Sequence, residues 1–379
     1  MRIVIEADSI AADKMSGIGH ATLEIIKFLS KVDKSEDIRT TIVVPFAKKN
    51  WVINKYGLTN IKVRTLPPAY RYVNYALTRT GIPAFMDLVY GKGIYIFPNY
   101  KNWPLLYSKS LTFIDDLAFK LYPETINPKN LTYLESNIER WLKRTDKILT
   151  ISHSSEKDIK NFFPQYADKI NIVHLGVNDK VYFKRDLKST NAVLKRYNLP
   201  NKFILYVGNI EPRKNILTLL EAYKKYCDAN EHPLPLLLVG GDGWNNDGIK
   251  QRINNLTKEG YKISVPKQYI EDEDMPFIYS AAALLTHLAV HEGFGLTVTE
   301  ALSTKTPVLL SDIDVLREVA GDAGVYVKPD DIMQIANGMK DLTYNKQLRN
   351  QLIDRGIKRS KLFTWSSTVN KLIEIIRNL

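Results

Sequence analysis

The chain has 379 residues, 45% of them hydrophobic and 25% charged, with one cysteine and a formal net charge of +12. Those values exclude collagen-like and disordered classes, and the length predicts two domains of comparable size. No run of about 18 apolar residues occurs, so no membrane-spanning helix is expected, and the lone Cys227 cannot form an internal disulfide.

The N-terminus, Met1-Arg2-Ile3-Val4-Ile5-Glu6-Ala7-Asp8, reads as a buried strand followed at once by acids. It lacks the apolar core and cleavage site of a signal peptide, which predicts a cytoplasmic location. A glycine loop, Ser16-Gly17-Ile18-Gly19-His20, leads toward a helix expected to begin near Ala21. As a dinucleotide fingerprint it fails, because Thr22 stands where a third glycine is required. Short Ile, Val and Leu runs then alternate with helical-period segments, the signature of parallel strands joined by crossover helices. In the first half, strands are predicted near residues 3–6, 41–44, 63–66, 94–97, 111–114, 148–151 and 172–174.

The basic charge is concentrated in this half. Residues 1–190 hold 29 Lys or Arg against 19 Asp or Glu, which leaves a surplus of two for the remainder. Between Trp51 and Lys109 lie eight basic residues (Lys55, Lys62, Arg64, Arg71, Arg79, Lys92, Lys101 and Lys109) and one acid, Asp87, among aromatics that include Tyr70, Tyr72, Tyr75, Tyr100 and Trp103. That mixture suits an anionic lipid surface with an apolar margin, and equally a solvated basic face. Nucleic acid is disfavoured, since no binding motif accompanies the charge.

Between residues 178 and 202 apolar periodicity lapses, which predicts the inter-domain connection. Further strands are predicted near 203–207, 236–239, 263–265, 284–288, 308–310 and 325–327. The fold class is therefore α/β, with two doubly wound, Rossmann-like domains. The first is expected over residues 1–185 and the second over 186–362, with a final amphipathic helix over 363–379.

Ligands of open α/β sheets bind outside the carboxyl ends of the strands, so the segments after strands carry the chemistry. After the strand ending at Val207, Gly208 leads to Arg213-Lys214 ahead of a helix. Two cations there oppose the helix dipole unless an anion lies between them, and a phosphate is one such anion. After the strand ending at Leu288 comes Glu292-Gly293-Phe294-Gly295, then a helix predicted over 296–303. The glycines let backbone N–H groups approach a diphosphate, while Glu292 and Glu300 offer acceptors for sugar and ribose hydroxyls. A glycoside-hydrolase acid pair is the competing reading. It is disfavoured, because an anion-binding turn does not keep a carboxyl protonated.

In order and wording these segments resemble the retaining, GT-B-fold glycosyltransferases of the family-four type (glycosyl transferases group 1). The match includes Thr150-Ile151-Ser152-His153-Ser154-Ser155, His174-Leu175-Gly176-Val177, Arg213-Lys214, Val239-Gly240-Gly241-Asp242-Gly243, the Glu292/Glu300 pair and Arg317-Glu318-Val319-Ala320-Gly321. The resemblance implies two domains facing a cleft, with the nucleotide-diphosphate sugar on the C-terminal one, the acceptor on the N-terminal one and the final helix packed back on the latter. It implies catalytic roles for Arg213 and Lys214 on the leaving diphosphate and for Glu292 at the donor sugar. Donor contacts are implied for Gly17, Gly19, Gly208, Gly240, Phe294, Gly295, Leu296, Thr297 and Glu300. Asp115 departs from the family, which commonly has histidine there; with Asp116, Ser152 and His153 it is placed on the acceptor or sugar side. Helix capping is the simpler account of Ser152.

The expected activity is transfer of a hexose, with retention, to a hydroxyl of a glycan or lipid-linked glycan in cell-surface polysaccharide or glycolipid synthesis. No cofactor or metal is expected, because Arg213 and Lys214 carry the charge. GDP-mannose is the favoured donor, since Glu211-Pro212-Arg213-Lys214-Asn215 resembles the wording of mannosyltransferase-like relatives. A sugar phosphorylase, a nucleotide-sugar epimerase and a non-enzymatic nucleotide-sugar-binding module are the alternatives. Peripheral contact with the inner membrane face is expected through the basic N-terminal half.

Overall fold

The structure, a computed structural model, describes residues 1–13, 15–32, 38–66 and 85–379. It divides into two compact units: Met1–Leu117, Thr132–Leu175 and Trp365–Leu379 form the first, and Ala118–Leu131 with Gly176–Thr364 forms the second. Relative to the expected division at 185/186, the chain leaves the first unit earlier, at Leu175, and the segment Ala118–Leu131 joins the second unit. Of the basic and aromatic residues singled out above, Arg71, Arg79, Tyr70, Tyr72 and Tyr75 lie outside the described residues.

The first unit is built on a parallel sheet of β1 (Arg2–Glu6), β2 (Arg39–Pro45), β3 (Lys62–Leu66), β4 (Ile94–Phe97), β5 (Lys109–Phe113), β6 (Lys147–Thr150) and β7 (Ile170–Ile172), in the order β3-β2-β1-β4-β5-β6-β7. Ile3, Val4 and Ile5 are buried in the centre, as expected of a strand covered on both faces. Order reverses between β1 and β4, so the topological switch point of this unit lies at their carboxyl ends.

The second unit carries β8 (Ile204–Val207), β9 (Leu236–Val239), β10 (Ile263–Ser264), β11 (Leu284–His287), β12 (Val308–Ser311) and β13 (Gly324–Val327), in the order β10-β9-β8-β11-β12-β13. Here the reversal falls between β8 and β11, which pair in parallel through Leu284 with Ile204 and Leu285 with Leu205. The helix Ile216–Asp228 buries Ile216, Leu219, Leu220 and Tyr223 against β8 and β9 residues. Each such aliphatic side chain contributes about 1.5–3 kcal/mol on full burial.

Two local expectations change. The first helix begins at Gly17, four residues before Ala21, so the glycine loop is the first turn of the helix Gly17–Val32. Gly19 is a packing residue: a Cβ there would lie 2.8 Å from the Ser9 carbonyl oxygen. At the other end of the chain, the helix Trp365–Arg377 packs on Gly17–Val32 within the first unit. Thr368 also donates its hydroxyl to the His174 carbonyl at 2.8 Å.

Candidate active site

The turns after β8 and β9 run side by side. Gly208 N–H donates to the Val239 carbonyl at 2.9 Å and Ile210 N–H to the Gly241 carbonyl at 2.9 Å. The contact is so close that a Cβ on Gly240 would lie 1.9 Å from the Gly208 carbonyl oxygen, and Gly240 has φ +157°. Gly240 is thus required by the approach of two backbones, whereas a Cβ on Gly208 would lie 3.1 Å from the Tyr206 hydroxyl.

Beyond Gly208 the chain enters a short 3-10 turn, Pro212–Lys214, ended by Asn215 in the left-handed conformation (φ 57°) before the helix Ile216–Asp228. That turn aims Arg213 and Lys214 across the switch point toward the loop after β11. Arg213 donates through Nη1 to the His291 carbonyl at 2.9 Å and through Nη2 to Glu211 Oε1 at 3.0 Å. Its Nη1 also lies 3.6 Å from Glu292 Oε2, and Lys214 Nζ donates to the same oxygen. Two protein carboxylates thus face the two cations at the helix start: Glu292 against both, and Glu211 beside Arg213.

All four groups of this ion cluster are largely buried. Burial alone would push the Glu292 carboxyl up, but Lys214 and then Arg213 outweigh it and hold it well below the usual carboxylate range. His287, the last residue of β11, lies underneath. Its Nε2 is 3.4 Å from Glu292 Oε2 without the alignment of a hydrogen bond, and its Nδ1 is 3.2 Å from the Thr297 hydroxyl. Burial lowers the imidazole pKa below its ordinary 6.5, so the ring is neutral at pH 7.

The helix Leu296–Ser303 follows, with Gly295 (φ +99°) as its N-terminal boundary. Leu296 and Thr297 are partly exposed in its first turn. Phe294 is not available as a lining side chain: it is buried and packs edge-to-face on Phe363 at 5.5 Å, so only its backbone can face a ligand. One turn further on, Glu300 Oε2 accepts from the Tyr279 hydroxyl at 2.7 Å. Desolvation raises the Glu300 carboxyl to about 7, against the lowering effect of the Tyr279 and Tyr182 hydroxyls.

The cluster also draws in Glu211 and His291, which stand in segments the sequence reading named, and His287 and Tyr122, which it did not single out. The Tyr122 ring lies 5.5 Å from the His291 ring, and its hydroxyl reaches the Val290 carbonyl at 3.5 Å. Only the histidine beside Glu292 offered a signal. Tyr122 reaches the site through a segment remote in sequence.

In the first unit, burial and then the neighbouring Asp116 push the Asp115 carboxyl up to about 8, so it is largely protonated at neutral pH. Its backbone carbonyl accepts from the Ser155 hydroxyl at 2.7 Å, and Asp116 Oδ1 accepts from Tyr100 at 3.0 Å. Ser152 is a helix cap: its side chain accepts from Ser155 N–H at 3.0 Å, and it is fully buried. His153 is exposed and lies 3.4 Å from Glu156.

Residues 193–359, which contain Arg213, Lys214, Glu292 and Glu300, match the family described as glycosyl transferases group 1. O-antigen chain mannosyltransferase B of Escherichia coli is similar over the full length of both chains at 28% identity. The protein is a glycosyltransferase, similar to the group 1 family. A second relative of this glycosyltransferase, O-antigen chain mannosyltransferase RfbU of Salmonella typhimurium, is 22% identical over 90% of this chain and 83% of its own. Among solved structures, Anabaena HepE in complex with UDP-glucose superposes with a TM-score of 0.75 at 16% identity, covering all of both chains. WaaG, a glycosyltransferase involved in lipopolysaccharide biosynthesis, gives 0.71 at 15% identity over 99% of both chains. The glycosyltransferase thus has the GT-B type of fold, with two Rossmann-like units.

Proposed function

We propose that the enzyme moves mannose from GDP-mannose, with retention at the anomeric carbon, to a hydroxyl of a glycan or lipid-linked glycan during O-antigen or related surface-polysaccharide synthesis. The observation that carries the reading is the Arg213, Lys214 and Glu292 cluster across the β8/β11 switch point. A nucleoside diphosphate entering there meets two positioned cations and the N-terminus of the helix Leu296–Ser303. The mannosyltransferase names of the relatives support the sugar.

In this reading Glu292 holds Lys214 and Arg213 ready and turns its remaining acceptor capacity to the donor sugar, while Glu300 accepts from the ribose diol. As the sugar–phosphate bond breaks, negative charge grows on the leaving diphosphate, where Lys214 and Arg213 stabilise it. No metal or cofactor is invoked, because those cations meet the electrostatic demand. The acceptor hydroxyl attacks from the face that the diphosphate leaves, and a phosphate oxygen takes its proton.

The acceptor is placed on the first unit, and lipid contact on a patch of that unit. Leu88, Val89, Leu106 and Tyr107 are exposed there. Asp87 ties the two segments that carry them together, accepting from the N–H groups of Leu106, Tyr107 and Ser108 at 2.7–3.0 Å. Exposed Lys92 and Lys109 flank them in sequence, a composition suited to an anionic headgroup layer. Among the described residues no helix is long and apolar enough to cross a membrane; in this reading the patch is what carries peripheral contact with the inner membrane face.

A panel of labelled nucleotide sugars with a mannoside acceptor tests the reading. The expected result is label transfer from GDP-mannose above UDP-glucose and the other donors, with an α-linked product by NMR. Inverted product would remove the retaining mechanism, and a different preferred donor would remove the mannosyl assignment.

A further inference from the structure

The first unit repeats the electrostatic layout of the second at its own switch point. Glu6 ends β1, Asp8 follows it, and Lys101 follows the neighbouring strand β4. Lys101 Nζ lies 3.3 Å from Glu6 Oε1 and 3.2 Å from Asp8 Oδ2. Glu6 is 2% exposed, whereas the side chains of Asp8 and Lys101 are 33% and 37% exposed. The cluster therefore has a buried floor and an open rim.

Two of its oxygens are unsatisfied. Glu6 Oε1 is near Lys101 but makes no hydrogen bond of good geometry, and Asp8 Oδ1 is buried with no hydrogen-bond partner among the described residues. A buried carboxylate oxygen left in that state is destabilising. Burial accordingly pushes the Glu6 carboxyl up to about 7, in opposition to Lys101. The turn that delivers Lys101 is itself strained: Tyr100 has φ 50°, and it is held by its N–H on the Phe113 carbonyl at 3.0 Å and its hydroxyl on Asp116 at 3.0 Å. Strain of this kind persists where surrounding structure enforces it, and it is concentrated at ligand sites.

We propose that Asp8 and Lys101, positioned by Glu6, form the site that binds the acceptor sugar, an uncharged hexose whose adjacent hydroxyls donate to Asp8 and accept from Lys101. An ammonium beside an acceptor-only carboxylate matches a vicinal diol, whose oxygens both donate and accept. Two carboxyl groups against one ammonium disfavour a phosphorylated sugar. The proposal rests on the glycosyl-transfer reading, and it gives the first unit a recognition site of stated chemistry.

Steady-state kinetics with GDP-mannose and methyl α-D-mannopyranoside on the full chain, as wild type, Asp8→Asn, Lys101→Met and Glu6→Gln, tests it. The acceptor KM is expected to rise at least 10-fold more than the donor KM in Asp8→Asn and Lys101→Met, and by a smaller margin in Glu6→Gln. Equal changes in both KM values, or an acceptor KM within twofold of wild type, overturn it. If the wild type transfers no mannose, that reading of the donor fails while the site is still decided by saturation-transfer NMR with methyl α-D-mannopyranoside. Signal in the wild type that is lost in Asp8→Asn supports the site, and equal or absent signals overturn it. Binding of mannose 6-phosphate as strong as that of the methyl mannoside would contradict the specification of an uncharged sugar. Asp8 and Lys101 sit at the rim, so their variants are expected to fold even where Glu6→Gln does not, which thermal unfolding checks.

Discussion

Lys214, in the turn after β8, reaches Glu292, in the turn after β11, so that one ion pair joins the two strands on either side of the switch point. Removing the lysine acts in two ways. Glu292 keeps Arg213 at 3.6 Å but loses its nearer partner, which is expected to cost about 2 kcal/mol of stability for a carboxylate left partly unpaired. Turnover is expected to fall on the order of 10²-fold, as when one preorganised donor to developing charge is lost. Urea unfolding and steady-state rates of Lys214→Ala check the two effects separately. Unchanged turnover would contradict the role on the leaving group.

Glu300 predicts a pH dependence with a definite sign. Its folded-state pKa of about 7 exceeds the ordinary 4.5, so between those values the folded chain holds a proton that the unfolded chain has released. Stability from this group therefore declines as pH rises from 4.5 to about 7. Above 7 the ionised carboxylate accepts fully from a ribose diol. GDP affinity, measured by calorimetry from pH 6 to 8, should rise more steeply in the wild type than in Glu300→Gln. The difference between the proteins is the readout, since the diphosphate titrates in both. Parallel curves would remove Glu300 from the ribose.

Gly240→Ala should destabilise by about 2 kcal/mol or more, because its Cβ would fall on the Gly208 carbonyl oxygen and force apart the turns after β8 and β9. A lowered denaturant midpoint, with weaker nucleotide binding in the protein that remains folded, is the expected pair of results. A midpoint within experimental error of wild type would show that the turns separate freely.

Much of this was legible beforehand, for identifiable reasons. The strands at Ile94–Phe97 and Leu236–Val239 and the helix Leu296–Ser303 fall where apolar runs and the glycine turn put them, because fully buried parallel strands leave a strong local signal. The early start of the helix at Gly17 was hidden. Gly19 lowers helix propensity, and its purpose, close packing on the Ser9 carbonyl, is a tertiary contact. The pairing of Lys214 with Glu292, 78 residues away, is a tertiary contact that no local pattern shows. Asp87 read as one acid in a basic stretch, yet it is the buried acceptor that ties Leu106, Tyr107 and Ser108 to its own helix.

The apolar patch beside Asp87 gives a prediction for the membrane. Sedimentation with phosphatidylglycerol-containing vesicles should exceed that with phosphatidylcholine alone, and should weaken with salt as the charges are screened. In the double variant Leu88→Glu/Tyr107→Glu both the apolar contact and the charge match are impaired, and binding should fall several-fold. Equal binding by the variant would move the contact away from this patch.

The central claim is that the second unit holds a nucleoside diphosphate between Arg213-Lys214 and the helix Leu296–Ser303. Calorimetric titration of GDP into the wild type, Lys214→Ala and Glu300→Ala tests it most directly. The account predicts one site per chain in the wild type and affinity at least about 10-fold weaker in each variant, the loss expected of one charged hydrogen bond. Equal affinity in all three proteins would contradict it.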